Sequence, residues 1–313
     1  MTPLIQSILF LSLSKLLFTI QDVIMKGVSD GYAVHQLLVA RAMVAVPLIF
    51  FWIRMSGEFQ ALKSQPAVKM VLRGIFLLVA FMFFYLSIVA MPLATATALF
   101  FTSPFFISIL SVPILGESLG IRRIGGIILG FIGVIIVLNP RGEDFGIHSL
   151  LPVFSAFSYS CAQIMIRTME LDAKATVMAF YSNFVYFVAG VLMAIALSFV
   201  NMESENPSIQ FLFRSWAMPN IQDALLIMGS GFATAWASVL SSQAYQLSEA
   251  SKIATMEYSP IIWVVILGYL FLSEVPDMQT ILGVAVIMAA GLYVIKREGI
   301  RTDKPLARAG LTR

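Results

Sequence analysis

ATATALFFTSPFFISILSVPILGESLGIRRIGGIILGFIGVIIVLNP, residues Ala94 to Pro140, is written twice in this chain with altered letters. The second version, Ala250 to Arg297, reads ASKIATMEYSPIIWVVILGYLFLSEVPDMQTILGVAVIMAAGLYVIKR. Each copy has an apolar helix broken by Ser-Pro, at Ser103-Pro104 and Ser259-Pro260, and an acidic exit, at Gly116-Glu117 and Ser273-Glu274. A helix rich in small residues follows, marked by Gly125-Gly126 in one copy and by Gly283 and Ala289-Ala290-Gly291 in the other. Proline and glutamate are 13 residues apart in the first copy and 14 in the second. Five apolar segments fit each half, and an odd number per copy sends the second copy through a membrane in the opposite sense. The pattern predicts an all-α integral membrane protein of ten transmembrane helices, arranged as two inverted five-helix repeats over residues 3–140 and 148–297, followed by a basic tail over 298–313.

Composition agrees. Hydrophobic residues are 59% of the chain and charged residues 12%, and the mean hydropathy is +0.90, more apolar surface than one soluble core can hide. The expected spans are 3–25, 33–53, 70–91, 94–113, 122–139, 148–168, 175–198, 222–246, 250–271 and 277–296, each near the ~20 residues a bilayer core requires. The first segment lacks a basic start and a small-residue cleavage site, so it is expected to be a retained span. One cysteine, Cys161, inside a predicted helix, excludes an intramolecular disulfide.

Lys and Arg gather on the cytoplasmic side of short loops. With the N-terminus inside, 15 cations fall on the cytoplasmic side, among them Arg54, Lys69, Arg73, Lys174 and the tail, against Lys26, Arg141 and Arg214 outside. Lys15 and Arg41 lie inside spans. Both termini are thus expected to be cytoplasmic in a bacterial inner membrane. The net charge of +3 suits anionic lipid headgroups and gives no reason to expect nucleic acid. The long polar stretch from Asn201 to Asp223 is expected outside, with an amphipathic helix over Ile209–Trp216 lying at the interface.

The duplicated proline helix, its Gly-Glu or Ser-Glu exit and the small-residue helix after it resemble the drug/metabolite transporter superfamily, in its ten-helix EamA type. Asp22 near Lys26, Arg41, and Glu257-Tyr258-Ser259-Pro260 ahead of Trp263 are similar in texture to members that take up riboflavin or S-adenosylmethionine. The resemblance implies a secondary transporter with a central cavity, and no enzyme or cofactor.

A charge in hydrocarbon costs at least ~2.5–3.5 kcal/mol on insertion scales, so Lys15, Asp22, Arg41 and Glu257 each require a reason. Lys15, Thr19 and Asp22 share one face of the first helix, and Asp22 is within reach of an ion pair with Arg41, either as a static tie between helices or as part of a substrate site or gate. Glu257 precedes Pro260, whose missing donor frees a carbonyl one turn earlier; it reads as a substrate anchor, a protonatable coupling group, or a glutamate satisfied by neighbours. Pro104 and Pro260 lie at one depth from opposite sides and read as hinges or cavity walls. Tyr85, Phe101, Phe105, Tyr159, Tyr181, Trp236, Tyr245, Tyr258 and Trp263 are candidate lining aromatics. Gln163, Asn183 and Gln243 are expected to point inward, since amides are poorly satisfied by lipid.

Gly116-Glu117-Ser118-Leu119-Gly120 fits G-x-S-x-G, but a membrane helix precedes it and His35 and His148 fall at the other surface, so the match is accidental. Neither a P-loop nor HExxH nor a dinucleotide fingerprint occurs. The reading is therefore a secondary carrier, by alternating access, of a small polar or zwitterionic metabolite, with uptake of a flavin or nucleoside-like cofactor preferred. An exporter of amino acids or drugs, a membrane-embedded enzyme and a receptor are the competing functions. Proton or ion coupling and a homodimer stay open.

Overall fold

A computed structural model describes residues 3–64, 67–116, 120–139, 146–169, 174–200, 202, 204–247 and 258–302. Glu257, Glu117, Ser118 and the end of the basic tail, and the side chain of Tyr245, lie outside the described residues. The described chain is helical: α1 Pro3–Val28, α2 Val34–Met55, α3 Ala67–Ile88, α4 Leu93–Phe100, α5 Ser103–Leu115, α6 Ile121–Leu138, α7 Ile147–Thr168, α8 Ala175–Leu197, α9 Pro207–Phe213, α10 Ile221–Leu247, α11 Pro260–Leu272 and α12 Met278–Thr302. Seven stretches are long and apolar enough to span a membrane, with α4 and α5 counted as one, and the shorter apolar helices are Ile124–Leu138, Pro260–Leu272 and Met278–Tyr293. Their outer faces carry large apolar side chains such as Phe51, Leu192 and Leu270, each at least 60% exposed, the pattern of a surface solvated by lipid.

The Ser-Pro break of the first copy falls where the sequence puts it. Pro104 has no N–H to give, so α4 stops at Phe100 and α5 starts at Ser103. The Thr102 hydroxyl donates to the Leu99 carbonyl, and the Phe101 N–H returns to Thr97 and Ala98, so the break leaves these backbone groups satisfied. Both proline helices end on a left-handed residue, Gly116 at φ +70° and Ser273 at φ +55°. Glycine takes that conformation without steric cost. At Ser273 the turn is secured by the Glu274 N–H donating to the Gly268 carbonyl.

The helix pairings are reciprocal between the halves. Helix α1 packs along α10 and α3 along α7; α2 pairs with α8 and α6 with α12; α2 also meets α10 as α3 meets α8. Small residues set the closest of these crossings. A Cβ on Gly133 would stand 3.0 Å from the Gly283 carbonyl, and one on Gly283 would stand 2.8 Å from the Gly133 carbonyl, so α6 and α12 touch backbone to backbone.

The polar stretch before α10 holds a short helix, shifted slightly from the expected Ile209–Trp216. Its helix α9 spans Pro207–Phe213 and is anchored to the bundle: Phe211 is 1% exposed in the core with Tyr85 and Ile88, and Ser208 donates to the Leu86 carbonyl. Asn206 caps it by accepting from the Ser208 N–H. Beyond it, Gln36 clamps the Ala217 backbone through both its amide atoms, and Arg214 donates to the Ser29 carbonyl. The segment is a strap over one end of the bundle.

Candidate functional site

A cavity of about 240 Å³ opens inside the bundle, walled by α1, α2, α3, the α4–α5 break, α7, α8, α10 and α11. Residues from both halves of the chain therefore meet across it. Of the residues singled out from sequence, Lys15, Asp22, Arg41, Tyr85, Gln163 and Asn183 line it, and so do Pro104 and Pro260.

Its polar core begins on α1, where a run of polar side chains shares one helical face. Asp22 accepts from the Tyr85 hydroxyl and from the Gln21 amide; Gln21 also donates to the Tyr85 oxygen at 2.6 Å, and its own carbonyl accepts from Thr234 of α10. The expected ion pair of Asp22 with Arg41 is not made. Arg41 instead lies with its guanidinium carbon 3.5 Å from the Phe81 ring centre and 5.1 Å from that of Tyr186. An aromatic face offers a desolvated cation attraction of ~2 kcal/mol, and the tyrosine has taken the carboxylate. Lys15 is buried at 9% exposure, with Thr19 hydrogen-bonded to its carbonyl one turn on. Asn183 donates to the Ala179 carbonyl.

Arg73 is the residue sequence reasoning misplaced. Counted among the cytoplasmic cations, it sits inside α3, 8% exposed, lining the same cavity and donating to the Ser182 hydroxyl at 3.0 Å. A cation near a helix end reads as one that reaches for the headgroups, and only its contact with α8 says otherwise. Gln21, Tyr186 and the row Thr234, Ser238, Ser241 and Ser242 were also passed over. That row has the i, i+4, i+7, i+8 spacing of one helical face, a signal present in the sequence.

The same periodicity explains two residues that stand elsewhere. Trp236 and Gln243 are about 200° and 180° around α10 from Thr234 at ~100° per residue, outside the cavity lining; Trp236 packs edge-on to Trp52 at 4.9 Å. Tyr258 is buried against Phe101, ring centres 5.4 Å apart, over Gly291. Trp263 is half-buried outside the lining. Phe105 and Tyr181 are packing residues of separate apolar clusters, whereas Phe101 and Tyr159 line the cavity.

At the end of the bundle under the strap, Lys26 of α1 makes an ion pair with Glu274 and donates to the Met91 carbonyl at 2.6 Å. Glu274 also accepts from the Leu93 N–H at 2.7 Å. The acidic exit of the second copy therefore joins α1, the start of α4 and the end of α11.

Residues 5–139 match the EamA-like transporter family, and the relatives extend that likeness over the remainder. The chain is 27% identical to a riboflavin transporter of Vibrio cholerae, covering 94% of each chain. It is 26% identical to an S-adenosylmethionine uptake transporter of Rickettsia prowazekii, over 91% of each. The first half of the chain thus carries an EamA-like transporter domain. The chain is also 23% identical to a pseudopaline exporter of Pseudomonas aeruginosa, over 90% of this chain and 93% of that one. A solved crystal structure, 14% identical, superposes with a TM-score of 0.64 over 97% of this chain and 99% of the other, a likeness of fold. The EamA-like domain, the transporters the chain resembles along its length and its apolar helices point to a multi-pass membrane transporter, and not an enzyme.

Proposed function

We propose that this transporter is a secondary carrier of the bacterial inner membrane that takes up a small polar or zwitterionic metabolite, a flavin or nucleoside-like cofactor such as riboflavin or S-adenosylmethionine, by alternating access. The observation that carries the reading is the cavity, where buried cations and a half-buried carboxylate stand among aromatic rings. Charges at membrane depth are retained for substrates or coupling ions, and carriers of this kind bind between their halves near the midplane. The reciprocal helix pairings support two inverted repeats, 3–140 and 148–297, and a count of ten spans.

In this reading Lys15, Asp22, Arg41, Tyr85, Gln163 and Asn183 form the substrate chamber, with Arg73 added to them. Glu257 is the charged anchor or the protonatable group of coupling. Pro104 and Pro260 are the hinges about which the broken helices move. The Lys26–Glu274 cluster and the strap close the outer side, leaving access from the cytoplasm. The likeness to a pseudopaline exporter favours export as the second reading, because an inverted pair of repeats works equally in either direction.

The test is uptake into vesicles reconstituted with the purified protein. Labelled riboflavin or S-adenosylmethionine should accumulate above protein-free vesicles, and counterflow from preloaded vesicles reports export. Vesicles that move neither compound nor any member of a wider metabolite panel in either direction would overturn the proposal.

A further inference from the structure

Two guanidiniums at the cavity wall are under-satisfied. Arg41 is 1% exposed and Arg73 8%, and Nε and Nη2 of Arg41 and Nε of Arg73 donate to nothing among the described residues. Arg73 has a neutral hydroxyl, that of Ser182, as a partner, and Arg41 has aromatic faces. Among the described lining residues the carboxylate is Asp22, and it is already engaged by Tyr85 and Gln21. Two buried guanidiniums thus face one occupied carboxylate, and Tyr186 lies within electrostatic reach of both.

A buried charged donor left unpaired is costly, and guanidinium is the group whose fork matches carboxylate and phosphate. Eight aromatic side chains share the lining, among them Phe81, Phe100, Tyr159 and Tyr186, which suits a planar ring. Among the described lining residues three cations, Lys15, Arg41 and Arg73, stand against the one carboxylate of Asp22. We propose that the cavity takes an aromatic ring compound bearing a carboxylate or phosphate, with Arg41 and Arg73 as its anion-binding groups. The inference rests on the carrier reading above and narrows its substrate to an anion.

Calorimetric binding to the purified full-length protein tests it with matched pairs: riboflavin against flavin mononucleotide, adenosine against adenosine monophosphate, and uracil against orotate. The first two pairs add a phosphate and the third a carboxylate, so the pair that responds identifies the anionic group. The anionic member of at least one pair should bind about tenfold more tightly or better. Arg41→Gln and Arg73→Gln should each cut that preference to about twofold or less, and Arg73→Lys, which keeps the charge, should retain part of it. Equal binding within every pair, no binding by any of the six, or a preference unchanged in both glutamine variants would overturn the proposal. The wild-type panel decides the matter by itself if a variant does not fold. Transport of a neutral metabolite with no anion preference would sink this inference alone, whereas vesicles that move nothing would sink the carrier reading beneath it.

Discussion

Tyr85 shows how one side chain organises the charged end of the cavity. It is 1% exposed, donates to Asp22, accepts from Gln21 and is pressed against Phe81 at 3.9 Å between ring centres, the same ring that carries the Arg41 guanidinium. The hydroxyl thus sets where both opposite charges stand, although they do not touch. Tyr85→Phe keeps the ring and removes a hydrogen bond to a charged group, a loss of about 1.5–3 kcal/mol. Thermal unfolding of the variant should register that loss, and its uptake should fall while a cavity-remote Trp52→Phe control keeps wild-type uptake. Unchanged melting and unchanged uptake in Tyr85→Phe would remove the tyrosine from this role. Asp22 and Tyr85 could be singled out from sequence because a carboxylate and a phenol in an apolar span each demand a partner. That the two would choose each other over Arg41 could not, since the choice depends on where α3 crosses α1.

Between elements, the Lys26–Glu274 pair fastens the end of α1 to the end of α11, and the Leu93 N–H ties in the start of α4. Its side chains are 15% and 20% exposed, enough burial that the attraction is only partly screened. An alternating carrier must break this cluster to open under the strap, so the pair weighs the equilibrium between its two forms. Glu274→Gln should shift that balance toward opening by about 1–2 kcal/mol, a five- to thirtyfold change in population. The readout is the rate at which a membrane-impermeant maleimide labels a cysteine at Thr95 in a Cys161→Ala background. The exchange Lys26→Glu with Glu274→Lys should restore slow labelling. Equal labelling in wild type and Glu274→Gln would show that the pair is only a tie. The sequence signalled Glu274 as a repeated mark yet gave no hint of its partner, which is almost a chain length away and carried on another helix. Contacts set by periodicity within one helix, such as Thr234 with Ser238, are the ones a sequence displays.

At the scale of the molecule, the all-helical membrane fold was readable because composition and the duplicated proline helix constrain it independently; the helix bounds fall within a few residues of expectation except that α12 runs on to Thr302, and the expected start of the ninth span at 250 lies outside the described residues. Arg73 was less readable: with Lys69 one turn before it on α3 it reads as part of a basic helix end, and burial against Ser182 is a tertiary fact. Its transfer from the cytoplasmic edge to the cavity also alters the orientation argument. Subtracting it from the 15 cytoplasmic cations leaves 14 against the same 3, and Lys26 is an ion-paired helix end while Arg214 is occupied by the strap. On this bias we propose that both termini are cytoplasmic, because a cation held in a translocated segment opposes insertion and a cytoplasmic one does not. A fluorescent protein fused after Arg313 should therefore fluoresce, and alkaline phosphatase fused there should be inactive. The same phosphatase inserted at Glu205, in the strap, should be active. The reverse result would turn the molecule over, and the Lys26–Glu274 cluster would then close the cytoplasmic side, making the closed face of the carrier the one from which uptake must release its substrate.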